Sequence, residues 1–119
     1  MKITVFTPTY NRRNLLERLY NSLSNQSIKQ FCWLIVDDGS IDHTDELVHE
    51  WQQTASFQIK YIYKSNGGKA SAHNIAVEHC TTEFFLIVDS DDSLTTNAIE
   101  ILNSKLEYLS SLEMLSGII

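Results

Sequence analysis

Four short apolar runs, Ile3 to Thr7, Phe31 to Asp37, Gln58 to Tyr63 and Phe84 to Asp89, alternate with segments whose apolar positions recur at helical spacing. The helical segments carry Leu15, Leu16, Leu19, Tyr20 and Leu23; then Leu47, Val48 and Trp51; then Ala72, Ile75, Ala76 and His79; and last Ile99, Leu102, Leu106 and Leu109, in a helix expected over 95–109. Each fits a helix that lays one face on a sheet. Regular strand-helix alternation predicts an α/β fold with a parallel sheet built by crossover connections. The unbroken apolar character of 31–36 and 84–88 predicts strands covered on both faces. Met114 to Ile119 read as the start of a fifth strand.

With 119 residues and 43% hydrophobic content, the chain can fill one core and leaves no room for a second full domain. A net charge of -6 argues against a general nucleic-acid binder, which needs a basic face. No apolar run approaches the roughly 20 residues of a membrane-spanning helix. The first predicted strand begins at Lys2, which leaves no space for a cleaved leader, so a cytoplasmic location is the expectation. Cys32 and Cys80 form no CxxC or metal spacing and are read as free, buried thiols. His43, His49, His73 and His79 fall on predicted helices without a ligand pattern and are read as surface or packing residues.

The chemistry gathers where the predicted strands end. Strand one leads into Thr7-Pro8-Thr9-Tyr10-Asn11-Arg12 and strand two into Asp37-Asp38-Gly39-Ser40. Strand three leads into Lys64-Ser65-Asn66-Gly67-Gly68-Lys69 and strand four into Asp89-Ser90-Asp91-Asp92. In a parallel sheet all four segments share the carboxyl edge, where open α/β sheets bind ligands. Three carboxylates within four residues repel one another and raise each other's pKa, so a divalent cation or strong donors are expected among them. Hard oxygen ligands suit Mg²⁺ or Mn²⁺ rather than zinc. Plainer roles stay open: Asp and Ser also build turns and helix N-caps, Ser40 or Asp42 can cap the second helix, and Asn66-Gly67-Gly68 can simply supply positive φ.

Taken together, Thr7 to Arg12, Val36-Asp37-Asp38-Gly39-Ser40, Asn66-Gly67-Gly68-Lys69 through Asn74-Ile75-Ala76, and Val88-Asp89-Ser90-Asp91-Asp92 resemble the family 2 glycosyltransferases over nearly the whole chain. The resemblance implies the GT-A fold, a Rossmann-like, mostly parallel sheet flanked by helices and here running to about four strands. It also implies a nucleotide-diphospho-sugar donor and Mn²⁺ or Mg²⁺. By the same resemblance Pro8, Thr9 and Tyr10 line the nucleobase pocket, with Tyr10 stacking on the base. Asp38 accepts a hydrogen bond from the base, which favours a UDP-sugar because the ring N–H of uracil is a donor. Asp37 holds the turn. Lys69 approaches the donor phosphates at a helix start, whereas Arg12 and Arg13 are read as solvated. Asp91 and Asp89 hold the metal, Asp89 and Ser90 also lie in the nucleotide-sugar site, and Asp92 orients Asp91 or caps the next helix.

The resemblance places the catalytic base and the acceptor-binding half beyond Ile119. Residues 1–119 are therefore expected to form a nucleotide-sugar-binding part that carries no catalytic residue, binds the donor and transfers sugar poorly by itself. The implied role is inverting transfer to a saccharide or lipid-linked acceptor in cell-envelope glycan synthesis, in the cytoplasm or peripherally at the inner face of the plasma membrane. Alternatives are a metal-dependent nucleotidyltransferase, a phosphoacceptor domain on Asp37, Asp38 and Asp89, and a non-catalytic interaction module; an exposed sheet edge also leaves a homodimer open.

Overall fold

A computed structural model describes residues 3–116, with side-chain surroundings through Ser111. The elements run β1 (Ile3–Thr9), α1 (Arg13–Ser24), β2 (Cys32–Asp37), α2 (Thr44–Thr54), β3 (Gln58–Tyr63), α3 (Lys69–His79), β4 (Phe84–Ile87) and α4 (Ala98–Ser116). The strands form one wholly parallel sheet in the order β3-β2-β1-β4.

This order sets the position of the site. From β1 the chain steps outward to β2 and β3, then returns through α3 to place β4 on the other side of β1. The reversal leaves a crevice beyond the carboxyl ends of β1 and β4, the topological switch point of a doubly wound sheet. The two faces are covered accordingly. Val5, Trp33, Ile35 and Ile59 turn towards Leu16, Leu19 and Leu23 of α1, Leu47, Val48 and Trp51 of α2, and Ile99 and Leu106 of α4. Phe6, Leu34 and Val36 turn the other way, onto Ala72 and Ala76 of α3. Small residues on α3 let that helix lie close to the strands.

The larger core holds an aromatic stack. The ring of Tyr20 lies parallel to that of Trp51 with centroids 4.2 Å apart, and Trp33 stacks on Trp51 at 5.7 Å. Trp33 is fully buried, and its indole N–H is satisfied by the Thr7 hydroxyl at 2.9 Å.

Three expectations are corrected. β4 stops at Ile87 and is an edge strand whose Phe84 and Ile87 are 38% and 47% exposed, so it is not covered on both faces. Strand order, which decides this, leaves no trace in the periodicity of an apolar run. Met114 to Ser116 continue α4 rather than opening a fifth strand, and Gly117 to Ile119 lie outside the described residues. Both thiols are free, but Cys80 is only partly buried; Cys32 is the buried one.

Candidate functional site

The first two strand ends are braced against each other before any ligand is considered. Asn11, with φ of 51°, donates its backbone N–H to the Ser40 hydroxyl oxygen at 2.8 Å and accepts the Ile41 N–H on its side-chain oxygen at 2.8 Å. Asp42 accepts the N–H of Arg13, the first residue of α1, at 3.1 Å, and also the Thr44 hydroxyl. It therefore caps a helix other than its own. Burial pushes the Asp42 carboxyl up, but the Thr44 hydroxyl and the Arg13 N–H outweigh this and leave it below the usual value. His43 precedes α2 as its N-cap in the left-handed region, rather than lying on the helix.

The adjacent aspartates at the end of β2 have separate tasks. Asp37 is fully buried; it accepts the Ser40 N–H at 2.8 Å and the Tyr61 hydroxyl, and so closes the turn. Burial, and then Asp37 itself, drive the Tyr61 phenol well above its ordinary pKa. Asp38 looks the other way. Its carboxylate accepts the Gly67 N–H at 2.8 Å, the Gly68 N–H at 2.9 Å and the ammonium of Lys64, while its own N–H donates to the Thr9 carbonyl at 2.9 Å. Burial raises the Asp38 carboxyl, yet Lys64 and the two glycine N–H groups hold it below the ordinary carboxylate value. Nothing in the sequence singled out Lys64: it sits in a polar run and meets Asp38 only through the β2–β3 pairing.

Backbone freedom is needed at the same place. Gly39 has φ of 92°, and a Cβ there would lie 3.1 Å from the Asn66 nitrogen and 3.3 Å from the Lys64 carbonyl oxygen. Gly68, with φ of 90°, forms the N-cap of α3 and turns the chain so that Lys69 opens the helix.

These segments enclose a cleft of about 160 Å³ lined by Pro8, Thr9, Tyr10, Arg12, Asp38, Lys69, Ala72, Asp89 and Ser90. All seven residues expected at the nucleotide-sugar site, Pro8, Thr9, Tyr10, Asp38, Lys69, Asp89 and Ser90, thus line one cavity. Tyr10 is 47% exposed, with its ring available. The Thr9 hydroxyl is buried without a hydrogen-bond partner among the described residues, a costly state for a polar group on a cavity wall.

Asp91 stands beside this cleft. Asp89, Asp91 and Asp92 each offer an oxygen within 4.8 Å of the others, an all-oxygen set of the hard type that suits Mg²⁺ or Mn²⁺. Two cations lie against the cluster: Lys69 Nζ is 3.2 Å from Asp89, and Arg12 Nη1 is 3.9 Å from Asp91. Arg12 thus borders the cleft while its side chain stays 50% exposed. Helix-capping by the acidic cluster is also set aside, because α4 starts only at Ala98 and the Asp92 N–H closes a turn onto the Asp89 carbonyl at 3.0 Å.

Comparison with known proteins agrees with this geometry. The family model described as Glycosyl transferase family 2 matches residues 4–110. A glycosyltransferase of Mycoplasma pneumoniae is 37% identical over 111 residues, covering 90% of this chain and 37% of the relative. The poly(ribitol-phosphate) beta-N-acetylglucosaminyltransferase TarS of Staphylococcus aureus is 31% identical over 102 residues, 84% of this chain and 18% of TarS. The structure of TarS 1-349 in complex with UDP superposes with a TM-score of 0.80 at 30% identity, over 91% of this chain and 32% of that one. The mannosyltransferase PcManGT of Pyrobaculum calidifontis, in complex with GDP-Man and Mn²⁺, superposes with a TM-score of 0.72 at 30% identity, over 77% of this chain and 28% of that one. The chain thus spans little more than a third of the length of the Mycoplasma relative and under a fifth of TarS. With a family match over most of its residues and a parallel sheet that superposes on GT-A enzymes, the chain belongs to glycosyltransferase family 2.

Proposed function

We propose that the cleft binds the nucleotide-diphosphate portion of a sugar donor, with UDP-sugars favoured, as the donor-binding part of a glycosyltransferase. The observation that carries this reading is the convergence on one cavity of an accessible aromatic ring (Tyr10), an ionised acceptor (Asp38) and a lysine at a helix start (Lys69), beside the carboxylate cluster. Each matches one portion of such a ligand. Tyr10 stacks on the base, Asp38 accepts its N–H, and Pro8 and Thr9 form the pocket wall, where the unpartnered Thr9 hydroxyl gains a polar neighbour. Lys69, with the α3 amides behind it, meets the diphosphate, and Asp89 and Ser90 meet the sugar-bearing end. The neighbours support a nucleotide-sugar ligand in general: TarS is solved with UDP and with UDP-GlcNAc, and PcManGT with GDP-Man.

Asp89 and Asp91 would hold a divalent cation, Mn²⁺ or Mg²⁺, with Asp92 beside them. When bound, such an ion neutralises the charge that develops on the leaving nucleotide diphosphate. The chain's own contribution is to fix the donor's orientation. Asp38 keeps its charge through its Lys64 and glycine partners, so it offers the base an acceptor at neutral pH. Lys69 and Arg12 moderate the repulsion between the acidic cluster and an anionic ligand. The reaction proposed for the whole protein joins an acceptor hydroxyl to the anomeric carbon as the bond to the nucleotide diphosphate breaks, the hydroxyl proton passing to a base. A saccharide or lipid-linked acceptor in envelope glycan synthesis is the acceptor class proposed; among the relatives, TarS is named for transfer to poly(ribitol-phosphate). We assign that base to no residue of this chain, since the two carboxylates on the cleft wall are held by Lys64 and Lys69.

Calorimetric titration with UDP and GDP, with and without Mn²⁺, tests the reading. Mn²⁺-dependent binding that prefers UDP and weakens at least tenfold in Asp91→Ala is expected. Failure of both nucleotides to bind, or equal binding without the metal, would overturn it.

A further inference from the structure

Among the described residues, the most enclosed charge pair is Lys64 with Asp38, whose side chains are only 12% and 11% exposed. Lys64 follows β3, and its backbone N–H continues the sheet by donating to the Asp37 carbonyl at 2.9 Å. Its ammonium turns back under the loop, bonding Asp38 and the Ser65 carbonyl at 2.7 Å. It also fills the space beside Gly67, where a Cβ would lie 3.0 Å from Nζ. The same carboxylate takes the N–H groups of Gly67 and Gly68, the two residues that lead into α3. Lys64 does not itself line the cleft, whereas Asp38 and Lys69 do.

We propose that Lys64 is a positioning residue for the nucleotide site, fixing the orientation and ionised state of Asp38 and, through the Gly67 and Gly68 amides, the start of α3. This rests on the reading of the cleft as a nucleotide site. Without the ammonium, only the two backbone N–H donors offset the burial of the Asp38 carboxylate, so the group is expected to protonate at a higher pH than in the unaltered chain. A protonated Asp38 presents an O–H where the base offers an N–H, so a uridine nucleotide loses its acceptor. The other charged groups near Asp38 do not replace Lys64. Asp37 adds like charge and is committed to Ser40 and Tyr61, while Lys69 and Arg12 are paired with Asp89 and Asp91.

The test compares the unaltered chain with Lys64→Met, which keeps the stem and drops the charge, and Lys64→Arg, which keeps the charge; Lys64→Gln replaces the first if it does not fold. UDP affinity with Mn²⁺ is measured at pH 8 and pH 5.5. Relative to the unaltered chain at each pH, Lys64→Met should lose at least tenfold more affinity at pH 5.5 than at pH 8, and Lys64→Arg should narrow that gap. A second reading needs no nucleotide: the Asp38 side-chain carboxyl ¹³C signal, followed by NMR, should titrate at higher pH in Lys64→Met than in the unaltered chain. An unchanged Asp38 titration, or a UDP loss equal at both pH values, would overturn the inference. If the unaltered chain binds no nucleotide while Asp38 titrates as expected, the nucleotide-site reading fails and the Lys64–Asp38 coupling stands.

Discussion

Asp37 and Asp38 are neighbours of identical type, yet one closes a turn and the other presents a charge to the cleft wall. They part where β2 ends: Asp37 is its last residue, and Asp38 is the first beyond it, its N–H still donating to the Thr9 carbonyl. The family resemblance implied that division, with Asp37 for the turn and Asp38 for a ligand; the residue pattern alone marked only an Asp-Gly turn. Lys64 was not legible, because its role arises from a contact made across 26 residues. Asp38 gives a pH prediction with a definite sign. Its folded-state pKa lies below the unfolded value of about 3.9, so its contribution to stability is full above that value and is lost as pH falls through the folded pKa. In urea unfolding, the stability difference between the unaltered chain and Asp38→Asn should be largest at pH 7 and should shrink on acidification below about pH 4. A difference that stays constant down to pH 3 would show that the charge of Asp38 is not what stabilises the loop.

Between elements, the placement of α4 depends on a buried amide rather than on propensity. Gln26, at 2% exposure just past α1, donates to the Thr95 carbonyl at 2.7 Å and the Ser22 carbonyl at 3.2 Å, and accepts the Ile99 N–H at 3.1 Å. It thereby satisfies one of the N–H groups that the first turn of any helix leaves without a partner. Gln26→Leu fills similar volume but strands the Ile99 N–H and removes one of two donors from the Thr95 carbonyl, which keeps the Ala98 N–H at 3.0 Å, at a cost of about 1–3 kcal/mol for the buried group left unpaired. Chemical denaturation should show a loss of roughly 1–3 kcal/mol, with faster amide exchange at the start of α4; unchanged stability would mean that water takes over the Ile99 N–H. The existence and order of all eight elements could be read from hydrophobic periodicity. What periodicity could not supply was the position of β4 at an edge and the delay of α4 to Ala98, since the intervening Asp89 to Asn97 segment is shaped by Asp89, Ser22 and Gln26.

For the molecule as a whole, the sequence placed four polar segments on one rim, and the fold closes them round a cavity. That cavity, about 160 Å³, is smaller than the roughly 300–1,000 Å³ of typical ligand pockets. On the proposed reading it would enclose only part of a nucleotide sugar. The net charge of -6 would oppose the approach of the anionic donor proposed here, which would place the burden on Lys69, Arg12 and a cation at the acidic cluster. The most direct test of a nucleotide site at the switch point is amide mapping of the ¹⁵N-labelled chain as UDP is added with Mg²⁺. The account predicts shifts at Tyr10, Asp38, Gly67, Gly68, Lys69 and Ser90, with Leu19, Val48 and Leu106 of the opposite layer unmoved. Shifts confined to the opposite layer, or none at the cleft at saturating UDP, would contradict it.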